Sequence, residues 1–130
     1  MTHYLDSEEI LIIHAKIIDA TGGAHGVRDM HLLASMAERS RMAFAGKELY
    51  PTIFDKAAAY FESAAFHHVF VDGNKRTAIA IAARFLFLNG YELTATNNEL
   101  EKFVLTAVQE KHELAIVSQW LKRHTEKPKR

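Results

Sequence analysis

Residues 68–90 read HVFVDGNKRTAIAIAARFLFLNG, and the second half of this stretch is the strongest indication of the fold. Positions 78–88 are apolar almost without interruption, with Arg84 as the charged exception. A helix that is apolar on all sides is normally buried on all sides, so this segment predicts the central helix of a bundle. Asn89 and Gly90 follow it, and both residue types favour the left-handed conformation that ends a helix.

Helical periodicity extends outward in both directions and predicts further helices. Capping residues or a proline mark the starts of four of them: Asp6 with Glu9, Asp29 alone, Pro51, and Thr96 with Glu99. A last helix is expected over residues 113–123. Residues 42–50 predict irregular structure, residues 91–94 a short extended stretch without a sheet, and residues 126–130 a frayed tail. We therefore expect an all-α fold of about six helices around a central buried helix, with residues 1–125 as a single domain.

Composition excludes several classes of protein. The chain has 130 residues and a formal net charge of 0, from 16 basic and 16 acidic residues, whereas a direct nucleic-acid binder usually carries a basic excess. The absence of cysteine excludes disulfides, thiolate zinc sites and cysteine nucleophiles. The first residues lack the features of a signal peptide, and the apolar run is about half a membrane span. A cytoplasmic protein without membrane contact is expected.

The first half of the opening stretch gathers chemically active groups at the start of the buried helix. The free N–H groups and the dipole of a helix N-terminus attract anions, and Gly73 lets the backbone approach a ligand closely. Lys75 and Arg76 add donors suited to phosphate. Asp72 can hold a magnesium ion that also takes phosphate oxygens, and His68 can accept a proton near neutral pH. These are the parts of a phosphate-transfer site.

The same residues permit a purely structural interpretation. Asp-Gly-Asn makes a good turn, Asn74 is a good N-cap, and basic residues at a helix start can simply be solvated. The positive charges of Lys75 and Arg76 nevertheless lie near the positive end of the helix dipole, which costs a little stability. An unfavourable local arrangement of this kind favours a functional role, here the binding of an anion. The residues alone leave both interpretations open.

The segment resembles the signature of the Fic/Doc family, His-x-Phe-x-Asp/Glu-Gly/Ala-Asn-Gly/Lys-Arg. The match covers His68, Phe70 and every position from 72 to 76. The surroundings are similar to the death-on-curing (Doc-like) branch, in GGAHGVRD at 22–29, LYPTIFDKAAAYF at 49–61 and TAIAIAARFLFLNGYELTA at 77–95. The resemblance spans essentially the whole chain and implies a Fic-like helical bundle.

The resemblance also implies a role for each matching residue. His68 is the general base toward a hydroxyl of a target protein, and Asp72 binds Mg²⁺. Phe70 is the apolar anchor beneath the loop. The phosphates of ATP are held by the segment that follows, Gly73, Asn74, Lys75 and Arg76.

Two departures bear on the reaction. Nucleotidyl-transferring members of the family carry Gly in place of Lys75, and a second Arg three residues after Arg76, where this chain has Ile79. The Doc-like branch shares the lysine and is associated with transfer of the terminal phosphate of ATP to a Ser/Thr hydroxyl of a protein. The resemblance therefore favours a kinase-like transferase. AMP transfer and a catalytically silent binding scaffold are the alternatives, although the intact His68, Asp72 and Asn74 argue against the scaffold.

The Doc-like branch also implies partners. Its members are toxins of type II toxin–antitoxin pairs that modify translation elongation factor Tu and thereby arrest translation. A Phd-like antitoxin is the expected inhibitor. The chain has no convincing built-in inhibitory motif of the Ser/Thr-x-x-x-Glu-Gly/Asn type, so inhibition in trans is expected.

The remaining motifs are less specific. A histidine metal enzyme lacks support, because His112-Glu113 is followed by Leu-Ala-Ile and not by x-x-His. Apart from His68 and its neighbour His67, the histidines share no motif and are expected to be solvated or to lie in the core: His3, His14, His25, His31, His112 and His124. Residues 22–29 are interpreted either as a flap that lines the cleft or as a plain loop that ends the first helix.

Overall fold

A computed structural model describes residues 1–128 and confirms the all-α class. Six helices account for most of this part of the chain: α1 (Ser7–Thr21), α2 (Met30–Arg39), α3 (Ile53–Phe66), α4 (Asn74–Leu88), α5 (Asn97–Gln109) and α6 (Leu114–Arg123). Two small antiparallel sheets of two strands each pair β1 (Ala43–Phe44) with β2 (Lys47–Glu48), and β3 (Glu92–Leu93) with β4 (Thr125–Glu126). None of the described helices is both long enough and apolar enough to cross a membrane.

Side-chain caps fix most of the helix starts where the sequence predicts them. Capping boxes join Asp6 to Glu9 at α1 and Thr96 to Glu99 at α5, and Asp29 caps α2. The third helix differs slightly, because its N-cap is Thr52 and Pro51 lies just before it. Each cap satisfies backbone donors that a helix start otherwise leaves unpaired.

The core is centred on the pair α3 and α4. In α4, six of 15 residues are buried, while Arg84 and Phe87 face solvent. In α3, nine of 14 residues are buried, including the Lys56 and Tyr60 side chains. The more completely buried helix is therefore α3, which is rich in alanine and so allows its neighbours to approach closely.

The two small sheets correct three expectations from the sequence. Residues 42–50 contain the paired strands β1 and β2, and were expected to be irregular. Residues 91–94 contain β3, which does form a two-stranded sheet, because its partner β4 comes from the C-terminal segment. Glu126 pairs with Glu92 and is not frayed, while residues 129 and 130 of the expected tail lie outside the described part of the chain. A short strand is marginal by itself, so its pairing depends on a partner remote in sequence.

Candidate active site

The loop between α3 and α4, residues 67–73 (the motif loop), is held in shape by Asn74. The side-chain oxygen of Asn74 accepts from the Phe70 N–H at 2.9 Å, and its amide nitrogen donates to the Phe70 carbonyl at 3.0 Å. Phe70 is only 1% exposed, which confirms that it anchors the loop in the core. Asn74, the first residue of α4, therefore fixes the conformation of the loop. The N-cap of α4 is Gly73.

Both the backbone conformation at position 73 and the atoms around it require glycine. Its φ is +72°, a left-handed value that favours glycine. A Cβ at this position would lie 2.8 Å from the Ile18 Cδ1 atom of α1. Because glycine has no side chain, the first turn of α4 carries no side-chain cap. The backbone N–H groups of that turn are left available for an anion.

The carboxylate of Asp72 is exposed and held by two backbone donors. One oxygen accepts from the Ala24 N–H at 3.1 Å and the other from the Gly73 N–H at 2.8 Å. These two donors, with the positive charge of Arg76 nearby, hold the pKa of the Asp72 carboxyl below its ordinary value. The group is therefore ionised at neutral pH and has lone pairs free to bind a cation. Magnesium is commonly bound by one or two carboxylates together with phosphate oxygens and water, a role that Asp72 fits.

His14, a residue of α1, supports the motif loop from below. Its ring is 3% exposed and stacks on the Phe70 ring at a centroid distance of 3.9 Å. Its Nε2 donates to the backbone carbonyl of Asp72 at 2.8 Å. No local pattern in the sequence indicates this role for His14, because its partner Asp72 lies 58 positions away. Its apolar neighbours in α1 show only that it faces inward.

The segment of residues 22–29 (the flap segment) runs alongside the motif loop. The Val71 N–H donates to the Gly26 carbonyl at 3.0 Å, the Arg28 N–H donates to the Val69 carbonyl at 2.9 Å, and Val27 pairs with Phe70 as an isolated β-bridge. The sequence left open whether this segment is only a loop that ends α1. Its hydrogen bonds to the motif loop show that it does more than end the helix. The flap segment braces the motif loop through these backbone hydrogen bonds.

Arg28 also holds the backbone on which the candidate base lies. Its Nε donates to the His68 carbonyl at 2.6 Å and its terminal nitrogen donates to the His67 carbonyl at 3.0 Å. His68 itself has a φ of +51°, which is uncommon for a residue with a side chain, and it is exposed. Such strained conformations persist only where neighbours enforce them, and they are frequent at functional sites.

A cleft of about 420 Å³ joins the sequence-predicted site residues, and it is lined by His68, Val71, Asp72, Gly73, Asn74, Lys75 and Arg76. The Lys75 side chain is exposed. The Arg76 guanidinium donates to the Thr21 hydroxyl and, at 3.2 Å, to the Gly22 carbonyl. Arg76 thus connects the first turn of α4 to the end of α1. All six chemically assigned residues therefore lie around a single cleft.

Two of the remaining histidines serve local structure. His25 contacts Asp19 at 2.8 Å on the surface, and His124 stacks on Trp120 at a centroid distance of 3.9 Å while its Nδ1 lies 2.7 Å from the Trp120 carbonyl. Within residues 1–128, no group of three or more His, Asp and Glu side chains forms a metal-binding cluster.

Comparison with known proteins assigns the class. The sequence profile of the Fic/DOC family matches residues 4–86, so the chain belongs to the Fic/DOC family. Toxin Doc of Mycolicibacterium smegmatis is 45% identical over 95 residues, which cover 73% of this chain and 71% of that protein. Protein kinase doc of Escherichia phage P1 is 31% identical over 90 residues, which cover 69% of this chain and 71% of that protein.

Proposed function

We propose that this protein is the toxin of a type II toxin–antitoxin pair and that it transfers the terminal phosphate of ATP to a Ser or Thr hydroxyl of a target protein. One observation carries the proposal: a candidate base, an ionised carboxylate and an uncapped helix N-terminus line the same cleft. These are the groups that phosphoryl transfer needs for proton removal, cation binding and charge stabilisation.

The chemistry follows from this arrangement. The imidazole of His68 accepts the proton of the target hydroxyl as its oxygen bonds to the γ-phosphorus of ATP, and the bond from that phosphorus to the β–γ bridging oxygen breaks to release ADP. The N–H groups at the start of α4, with Lys75 and Arg76, hold the phosphates by hydrogen bonds and charge. Asp72 would hold Mg²⁺, which supplies neutralisation of phosphate charge when bound.

Two observations favour phosphate transfer over AMP transfer. The phage relative is called a protein kinase. In addition, the position where nucleotidyl-transferring members carry their second arginine is occupied by Ile79, which is half-buried and packs against the core. This chain therefore has no arginine at that position of α4, where a second positive charge would neutralise more of the phosphate charge.

The partners are proposed on the same basis. One relative is called a toxin, which supports a Phd-like antitoxin as the inhibitor in trans and a cytoplasmic site of action. Elongation factor Tu is the proposed target, and its modification would arrest translation. Because the chain has a net charge of 0 and no basic excess, we assign DNA binding to the antitoxin.

The adjacent histidines provide a matched test of catalysis. His67 and His68 are both exposed, and the carbonyls of both accept from Arg28. We expect His68→Ala to abolish phosphate transfer and growth arrest, while His67→Ala retains most of both. If His68→Ala remains as toxic as the parent at equal expression, the protein acts as a binding scaffold and the catalytic proposal is wrong.

A further inference from the structure

A second cleft opens on another side of the candidate base. It measures about 500 Å³ and is lined by His68 together with Glu62, Ala65 and Phe66 of α3, Val108 of α5, and Lys111 and His112 just beyond α5. His68 also lines the cleft of about 420 Å³ described above, and it is the residue that the two clefts share. The base thus lies at the boundary between two cavities.

The proposed reaction needs two approaches to this base. The phosphate donor fits the side formed by residues 72–76, where the helix N-terminus and the cations lie. The acceptor hydroxyl must reach His68 without occupying that space, because the attacking oxygen and the phosphate meet only at the reacting atoms. The second cleft provides such an approach.

The walls of the second cleft indicate what it would bind. Ala65, Phe66 and Val108 supply an apolar surface. The negative charge of Glu62 is already paired with Arg39 at 2.7 Å, so it contributes little net field. Lys111 is exposed at the rim, held with a φ of +50°, and adds a positive charge.

We propose that the second cleft receives the hydroxyl-bearing segment of the protein substrate, with an apolar side chain against α3 and α5 and an acidic residue beside Lys111. This inference rests on the proposed function. It assigns acceptor specificity to a surface formed by α3 and α5, outside the signature motif and the flap segment. A complementary charge at the rim of an interface mainly favours the correct partner and its orientation.

Charge reversal at the rim tests the assignment. The rate of γ-phosphate transfer would be measured with elongation factor Tu as acceptor, varying the acceptor at saturating ATP and then ATP at saturating acceptor. Lys111→Glu is expected to raise the KM for the acceptor about tenfold, leaving the KM for ATP unchanged. Lys111→Arg should restore the parent value. Lys102→Glu makes the same charge change on an exposed residue of α5 outside this cleft, and is expected to have no effect.

The outcomes separate the two proposals. If the parent transfers phosphate and Lys111→Glu behaves like Lys102→Glu, the acceptor does not use this cleft and the inference is wrong, while the proposed function stands. A rise in the KM for ATP would also overturn it, since the cleft would then serve the nucleotide. If the parent itself transfers no phosphate to this acceptor, the proposed function fails and the inference falls with it.

Discussion

Gly23 offers a precise way to disturb Asp72 without altering any residue of the signature. Its φ is +110°, and a Cβ added there would lie 2.6 Å from the Asp72 Oδ2 atom. That distance is shorter than any stable contact, so in Gly23→Ala the carboxylate has to move. Gly46 provides the matched control, because its φ is +79° and a Cβ there would meet no atom within 4 Å.

The size of the effect can be divided into two parts. Alanine at a positive φ costs about 1–2 kcal/mol at either position, which lowers the melting temperature of a chain this size by several degrees. Gly23→Ala has the further effect of displacing Asp72 from the Ala24 N–H. Without that donor, the pKa of the Asp72 carboxyl rises toward its ordinary value. Displacing a group of this kind at a metal site typically lowers activity about 10–100-fold.

The assay compares phosphate transfer as a function of magnesium concentration, together with the melting temperature of each variant. We expect Gly23→Ala to need more magnesium and to lose about 10–100-fold in activity, while Gly46→Ala loses only stability. If Gly23→Ala is as active as Gly46→Ala at every magnesium concentration, Asp72 does not act from the position described, and the assigned role of the flap segment is wrong.

Three further predictions concern side chains that hold the site and the core. His14→Phe keeps the stack on Phe70 but removes the donor to the buried side of the Asp72 peptide, so it should cost about 1–3 kcal/mol by thermal unfolding and lower phosphate transfer. Asn74→Ala frees both backbone groups of Phe70, and hydrogen exchange in the motif loop should become faster than in the parent. The Tyr60 side chain is buried, and its hydroxyl is hydrogen-bonded to the backbone of Leu5. Burial raises the pKa of Tyr60 from 10.0 to about 12. The folded state resists ionisation of this phenol, so about 2–3 kcal/mol of stability should be lost as the pH rises from 10 to 12; alkaline unfolding of Tyr60→Phe should lack that loss.

Local sequence signals predicted the helices, and they singled out the residues that lie around the first cleft. Helix starts depend on residues within one turn of each other, as in the capping box of Asp6 and Glu9. The signature from His68 to Arg76 is likewise contiguous, so its chemistry could be interpreted before the fold was known. These features were predictable because their physical causes are short-range.

Features built from distant residues could not be predicted in the same way. His14 reaches the Asp72 carbonyl across 58 positions, and nothing in the periodicity of α1 specifies that partner. The pairing of β3 with β4 joins Glu92 to Glu126, and neither segment has a strong strand pattern. In such cases the tertiary packing decides which groups meet, and the sequence pattern records only that a residue faces inward.

The proposed reaction requires that the γ-phosphate of ATP is the group transferred. The most direct measurement incubates the purified protein and elongation factor Tu with magnesium and ATP labelled at either the α or the γ position, followed by detection of label on the acceptor. We expect label on the acceptor from γ-labelled ATP alone, and no label when His68→Ala replaces the parent. Label from the α position would contradict this expectation and would indicate AMP transfer.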